Sequence, residues 1–297
     1  PTLDKLLATC KNVYIKAHGT AVGLPSDEDM GNSEVGHNAL GCGQVYSQGA
    51  KLVEEAIESG EIFNSSAWQE LKNNCVAHGS AMHFLGLLSD GNVHSNINHL
   101  IALIKGAKRD GIKKVFVHVL LDGRDVPATS ALQYVDMLEN AMAEMNDDSF
   151  TAKIASGGGR MTITMDRYFA NWDMVKRGFY THVYGEGRGF ESATAAIETF
   201  RAETPGIIDQ DLPAFVVVKD GKPVGAMHDN DSVILFNFRG DRAIEISMAF
   251  DDKEFSGFDR DNMPNVMYAG MLQYDGDMHL PKRFLVEPPK IKYTLSE

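Results

Sequence analysis

The sequence predicts an α/β fold, and three observations carry that reading. Short β-rich runs alternate with amphipathic stretches along the chain. Four of those runs pass directly into short loops built of glycine, aspartate and a basic or imidazole side chain. The length, 297 residues, suits about two domains of ~150 residues each.

Taken in order, the amphipathic spacing predicts helices over residues 52–59, 67–77, 96–109, 130–144, 193–203 and 243–250. Gly60 and Gly111 stand where helices are expected to stop. Strands are predicted over residues 81–88, 114–121, 152–155, 214–219, 233–238 and 266–273. The Asp220-Gly221 pair between two β-like runs predicts a hairpin at a sheet edge. No internal repeat and no low-complexity tract interrupts the pattern.

Composition excludes several function classes. A net charge of −13 argues against nucleic-acid binding, where basic surface supplies most of the affinity. A small anionic ligand is still compatible, provided positive charge is gathered locally. Hydrophobic residues make up 43% of the chain, ample for real cores. The apolar runs are short, far below the ~20 residues of a membrane span. Cys10, Cys42 and Cys75 are odd in number and unpaired in spacing, which fits reduced thiols in a cytosolic protein. The chain opens on Pro1 with no signal-peptide pattern and no initiator Met, so a preceding N-terminal stretch is expected.

Chemistry is concentrated in the four strand-to-loop junctions. These are Ser89-Asp90-Gly91-Asn92-Val93-His94, Asp122-Gly123-Arg124-Asp125, Ser156-Gly157-Gly158-Gly159-Arg160 and Asn237-Phe238-Arg239-Gly240-Asp241-Arg242. Ligands of open α/β sheets bind beyond the carboxyl ends of the strands, so a parallel sheet would bring the four loops to one rim. With Arg167, just downstream, the loops hold five of the eleven arginines. Planar guanidinium groups suit bidentate bonding to phosphate and carboxylate, and a cluster suits a small ligand carrying both.

Asp125, next to Arg124, is either a general base or a salt-bridge partner. His94 is a candidate proton shuttle or phosphate ligand titrating near neutrality. Ser33, within Met30-Gly31-Asn32-Ser33-Glu34-Val35-Gly36-His37, is either a helix N-cap or a nucleophile whose phosphorylated form would rest on helix N–H groups. The remaining histidines, among them His83, His118 and His182, have no evident partner. The glycine run 157–159 has neither the P-loop nor the dinucleotide-binding spacing, and no HExxH or CxxC pattern occurs.

The segments Gly23-Leu24-Pro25 with Met30–His37, Ser89–Ser95, Asp122–Asp125 and Asn237–Arg242 resemble, in the same order, the motifs of the 2,3-bisphosphoglycerate-independent phosphoglycerate mutases. The spacing around Pro25–Met30 and Arg160–Arg167 resembles the plant-type branch that trypanosomatids share. The resemblance implies part of an alkaline-phosphatase-like domain (residues 1–47 and 288–297) and an inserted α/β phosphotransferase domain (residues 48–287), with hinges near 47 and at Pro288-Pro289. It also implies interconversion of 3-phosphoglycerate and 2-phosphoglycerate through phosphoserine at Ser33, with no bisphosphoglycerate primer. Residue by residue, Arg239 and Arg242 would hold the phosphoryl group, and Arg124, Arg160 and Arg167 the glycerate. Asp125 would be the acid/base and His94 a hydrogen-bonding partner of the substrate. Two divalent metal ions are implied, manganese first and cobalt or magnesium as alternatives, with Ser33 as the one metal ligand in this chain. The other ligands are expected beyond both ends, so the chain alone is expected to turn over little. A monomer in the cytoplasm, with a small-molecule substrate and no nucleic-acid or membrane partner, completes the expectation. The alternatives are another phosphotransferase of the superfamily, such as a phosphopentomutase, and an inactive phosphoglycerate-binding fragment.

Overall fold

The computed structural model describes residues 1–289 and residue 294. Helices α1 (Thr2–Thr9), α2 (Ser33–Cys42), α3 (Gly49–Glu58), α4 (Glu61–Asn64) and α5 (Ser66–His78) precede the first strand. Then follow β1 (Met82–Leu88), α6 (Ile97–Arg109), β2 (Lys114–Leu121), α7 (Ala131–Met145), β3 (Thr151–Gly159) and α8 (Trp172–Val183). The chain continues with β4 (Arg188–Phe190), α9 (Ala193–Glu203), β5 (Phe215–Lys219), β6 (Lys222–Pro223), β7 (Ser232–Leu235), α10 (Ile244–Asp251) and β8 (Met267–Gly270).

One sheet organises these elements, in the order β4-β5-β3-β2-β1-β7-β8, with β6 pairing β5. Strands β3, β2, β1, β7 and β8 run parallel, as the alternating pattern predicts. Successive strands step one way from β1 to β3, and β7 returns on the other side of β1. The gap between β1 and β7 is therefore the topological switch point, where α/β sheets bind ligands. Both faces are covered. Phe84 packs with α5, α6, α7 and α9, whereas Leu85 and Leu87 pack with α8 and α10. That split follows from the two-residue alternation of side chains along a strand.

Several expected boundaries move, each for a local reason. The strand at 152–155 runs on through the glycine run to Gly159, paired with β2. The glycines are there for packing. A Cβ on Gly157 would stand 2.6 Å from the Phe215 ring and from the Val119 carbonyl oxygen. The strand expected over 233–238 stops at Leu235 because side chains replace the ladder. Asn237 Oδ1 accepts the Leu87 N–H, and the Tyr274 hydroxyl donates to the carbonyls of Leu235 and Asn237. The strand expected over 266–273 is confined to Met267–Gly270. Strand β5 falls where predicted but runs antiparallel to β3. Helices α1, α4 and α8 and strand β4 are additions that the sequence reading lacked. The Asp220-Gly221 hairpin forms as expected, both residues with positive φ (52° and 75°). Residues 290–293 and 295–297, assigned above to the first domain, lie outside the described residues.

Residues before α3 pack differently. No residue of α1 is buried, and only Val22, Leu24 and Val35 form a small apolar cluster there. The buried amide of Gln48 ties this segment to itself. Its Nε2 donates to the carbonyls of Val22 and Val35, and its Oε1 accepts from Asn38.

Candidate active site

The four loops do meet at one rim, and a buried carboxylate joins three of them. Asp122, at the end of β2, accepts from Ser89 Oγ (2.6 Å) after β1 and from Arg160 Nη1 (2.8 Å) after β3. It also accepts the backbone N–H groups of Arg124 and Asp125, which fixes the turn of its own loop. Gly123 makes that turn possible, with φ +65° and no room for a Cβ beside Asp209. Arg160 is fully buried, and its Nη1 bridges Asp122 and Asp125 at 2.8 and 2.5 Å. Asp125 is thus a salt-bridge partner here, and it faces the rim partly exposed. The Nε of Arg160 is buried without a partner.

The other arginines gather opposite, across the switch point. Phe238 donates its N–H to the His94 carbonyl (2.7 Å), joining the loops after β1 and β7. Arg239 Nε lies 3.1 Å from Asp241 Oδ1, and Arg167 Nη1 lies 3.8 Å from Asp241 Oδ2. Arg242 is buried and donates to the Met165 carbonyl at 2.6 Å. Burial, with Arg167 and Arg160 close by, pulls its pKa down from the ordinary guanidinium value. Arg124 is exposed at the rim.

His94 sits at the centre. Burial and the charges of Arg160, Arg239, Arg242 and Arg124 hold its pKa well below the usual imidazole value. The expectation that it titrates near neutrality is therefore corrected. His94 is a neutral imidazole at physiological pH, suited to hydrogen bonding with an anion rather than to carrying charge. For the same reason its 3.8 Å approach to Asp241 is not an ion pair. All five predicted arginines thus act on one another or on His94, which is more than chance spacing of surface charges would give.

Ser33 lies beside this rim on an exposed helix start. The N-cap of α2 is Asn32, whose Oδ1 accepts from the N–H groups of Glu34 and Val35, so the N-cap alternative for Ser33 is corrected. Its Oγ is 3.2 Å from His37 Nδ1, but that nitrogen also lies 2.7 Å from the Ser33 carbonyl oxygen. Two lone pairs would repel at that distance, so Nδ1 carries the proton and His37 is not a base for Ser33. Two contacts join the N-terminal segment to the rim: Asn92 Nδ2 to Asp29 Oδ1 (2.7 Å) and Arg239 Nε to Glu34 Oε2 (3.8 Å). Between the two regions lies a cavity of about 270 Å³, lined by Asn32, Glu34, Gln48, Phe238 and Arg239 among others. Among the described residues, no group of three or more His, Cys, Asp or Glu side chains could hold a metal ion. Nor is any helix among them long and apolar enough to cross a membrane.

Sequence reasoning missed Asp122 and Asp241 as organising carboxylates, although both stand in the quoted motifs. It also left three histidines without partners, which the structure corrects. Asp231 Oδ2 is 3.1 Å from His83 Nε2, His83 Nδ1 is 2.9 Å from His118 Nε2, and His118 Nδ1 is 2.8 Å from Ser156 Oγ. Ser156 Oγ is in turn 2.8 Å from His182 Nδ1, and His182 Nε2 is 3.0 Å from Thr164 Oγ1. With Asp231 ionised and each ring carrying a single proton, each donor is fixed by the last. Hydrogens sit on His83 Nε2, His118 Nε2, Ser156 Oγ, His182 Nδ1 and Thr164 Oγ1, all directed towards Asp231. Burial keeps His118 well below its ordinary pKa and His182 down to about 3, in accord with neutral rings at both.

Residues 53–276 match the family described as the N-terminus of BPG-independent PGAM. The chain is 57% identical over its full length to a probable 2,3-bisphosphoglycerate-independent phosphoglycerate mutase of Leptospira interrogans, covering 54% of that protein. It is 51% identical to the 2,3-bisphosphoglycerate-independent phosphoglycerate mutase of Trypanosoma brucei and 50% to that of Zea mays, covering 54% and 53% of them. The chain thus spans about half the length of the curated relatives it matches. The phosphoglycerate mutase of Leishmania mexicana, crystallised at low cobalt concentration, superimposes with a TM-score of 0.95 at 50% identity, over 99% of this chain and 54% of that one. Matching relatives, a matching fold and a family match over most of its length agree: the chain belongs to the 2,3-bisphosphoglycerate-independent phosphoglycerate mutase family.

Proposed function

We propose that this chain supplies the substrate clamp and the phosphoryl-accepting serine for interconversion of 3-phosphoglycerate and 2-phosphoglycerate, a metal-dependent isomerisation without a bisphosphoglycerate primer. The observation that carries this reading is the convergence of five arginines on one rim around a neutral His94. A ligand with one phosphate and one carboxylate is the small molecule that such a rim fits.

In this reading Arg239 and Arg242 hold the phosphoryl oxygens, where charge must be neutralised during transfer. Arg124, Arg167 and the N–H groups of Arg160 not used on Asp122 and Asp125 hold the glycerate carboxylate. His94 donates or accepts a hydrogen bond to the substrate. Ser33 Oγ bonds to phosphorus as the C3 oxygen leaves, and the proton that Ser33 gives up ends on that oxygen, taken up and handed over by Asp125; the return half-reaction puts a proton back on Ser33. After the glycerate turns, Asp125 takes the proton from the 2-hydroxyl, whose oxygen displaces Ser33. Two divalent ions are part of the proposal, manganese first and cobalt or magnesium next, with Ser33 as this chain's ligand. The described residues do not by themselves fit a metal pair, so no step is drawn through one. The chain alone accordingly binds substrate and turns it over little. Residues 1–47 and 288–297 belong to a phosphatase-like domain and residues 48–287 to the transferase domain, in a monomer working in the cytoplasm.

Calorimetric titration of the chain with 3-phosphoglycerate, without metal, tests the clamp. Saturable binding is expected, weakened by roughly 100-fold in Arg239→Ala, the effect of losing a charge-assisted bidentate contact. No binding by the unaltered chain would overturn the claim that the rim is a self-sufficient clamp.

A further inference from the structure

The stretch joining β3 to α8 carries Arg167 and is bent against preference. Thr164, Tyr168 and Phe169 all have positive φ (66°, 63° and 57°), and none is glycine. Such conformations cost about 1–3 kcal/mol each and persist only where surrounding contacts over-determine them. Four contacts do so here. Thr164 Oγ1 meets His182 at 3.0 Å, and the Met165 carbonyl accepts from Arg242 at 2.6 Å. The Asn171 N–H donates to Asp166 Oδ2 at 2.5 Å, and the Phe169 N–H donates to Glu245 Oε1 at 2.9 Å.

Glu245 is the unexpected member of this set. It lies on α10, three residues after Arg242, and it is 2% exposed. Its Oε2 is buried and has no hydrogen-bond donor within reach. The buried carboxyl of Asp166 stands close enough to act on it by charge and by hydrogen bonding. Two ionised carboxylates side by side in that setting repel, and Arg242, the nearby cation, has its Nη1 engaged on Met165. One proton between them removes the conflict. Oε2–H then donates to Asp166 while Oε1 still accepts from Phe169.

We propose that Glu245 is a positioning residue of the arginine clamp: its carboxyl shares a proton with Asp166 and so holds the Tyr168–Phe169 bend from which Arg167 reaches Asp241. Burial first, and Asp166 second, push Glu245 up to about 7, while the Phe169 N–H and Arg242 pull the other way. The shared proton is therefore lost as pH rises through about 7. The pair then repels, the bend opens, and Arg167 leaves the rim.

Trp172 reports the bend without any substrate, because its ring lies 5.9 Å from that of Phe169. The other tryptophan, Trp68, is buried in the core on the far face of the sheet and serves as a constant background. The decisive variant is Glu245→Gln, whose amide accepts from Phe169 and donates to Asp166 at every pH. In the unaltered chain, Trp172 emission should change with a midpoint near 7. In Glu245→Gln it should stay at its low-pH value throughout. Resting on the clamp reading, affinity for 3-phosphoglycerate, compared with Glu245→Gln at the same pH, should fall about tenfold between pH 6 and pH 8. Asp166→Asn gives a second check, since Glu245 without its acidic neighbour should titrate at lower pH. Emission that is flat in the unaltered chain, or that titrates alike in Glu245→Gln, overturns the proposal. The expected emission change with no binding in either protein upholds the latch and overturns the clamp.

Discussion

Ser33 and Arg160 are assigned to the same reaction, yet their surroundings are opposites. Arg160 is buried at the end of strand β3, bridging two carboxylates. Ser33 begins an exposed helix whose only buried residue is Val35. Around the rim every loop is tied to its neighbours by buried polar contacts and backed by a large core. Residues 1–47 hold together through Gln48, a three-residue apolar cluster and short turns. The contacts Asn92–Asp29 and Glu34–Arg239 join the two regions at partly exposed positions, worth at most about 1 kcal/mol each. The clamp geometry is thus fixed by this chain's own packing. The direction in which Ser33 presents its hydroxyl is fixed only by one helical turn.

The comparison is most directly broken by truncating each residue. Arg160→Ala leaves Asp122 and Asp125 without their cation in a buried setting, and should cost about 3–5 kcal/mol of stability. Ser33→Ala removes an exposed hydroxyl and should stay within about 0.5 kcal/mol. Urea unfolding measures both, as a midpoint shift at unchanged slope. Equal costs would mean that the rim is no better determined than the helix of Ser33.

The histidine chain gives a smaller effect on the same side. Ser156→Ala leaves His118 Nδ1 and the Nδ1–H of His182 facing each other with no partner, and should cost about 2 kcal/mol. Nitrogen-15 spectra of the imidazoles carry the finer test. In the unaltered chain His118 should show the Nε2–H tautomer and His182 the Nδ1–H tautomer, both neutral at pH 7. Because both pKa values are depressed on folding, the associated stability is present above the unfolded value near 6.5 and is lost as pH falls below it. A cationic ring at pH 7 would refute the one-way chain.

What was legible in the sequence follows the range of the interactions. The strand-to-loop junctions were readable because a run such as residues 114–121 followed by Asp122-Gly123 fixes a strand and its exit locally. The parallel order then carried Arg124, Arg160, Arg239 and Arg242 to one rim without further information. Two things needed the register. The histidine chain forms because the pairing of β2 with β3 shifts between Val117 and His118, which sets His118 against Ser156. Glu245 and Asp166 are far apart in sequence, and nothing in either neighbourhood announces that they meet. The glycine run misled for a related reason: read alone it is a loop, but opposite Phe215 and Val119 it is the only strand that fits. His94 misled through its field, since no local pattern reports four guanidinium groups arriving from three other loops.

The contrast between the two regions also predicts opposite signs for one small substitution. Gly36 and Gly106 both sit inside helices, where glycine is less favourable than alanine by about 1 kcal/mol because it leaves the unfolded chain more freedom. At Gly36, in α2, an added Cβ meets nothing within 4 Å. At Gly106, in α6, it would stand 2.2 Å from the ring of Phe63. That ring is itself held, edge-on against Trp68 and beneath Arg109. Gly36→Ala should therefore realise the helix gain, raising amide protection in α2 by roughly fivefold while leaving global unfolding unchanged, since that helix opens with little of the core. Gly106→Ala should lose the same gain to overpacking and lower global stability by about 1 kcal/mol. If Gly36→Ala instead shifted the global unfolding midpoint, α2 would have to open together with the sheet, and the N-terminal region would be as firmly built into the fold as the clamp.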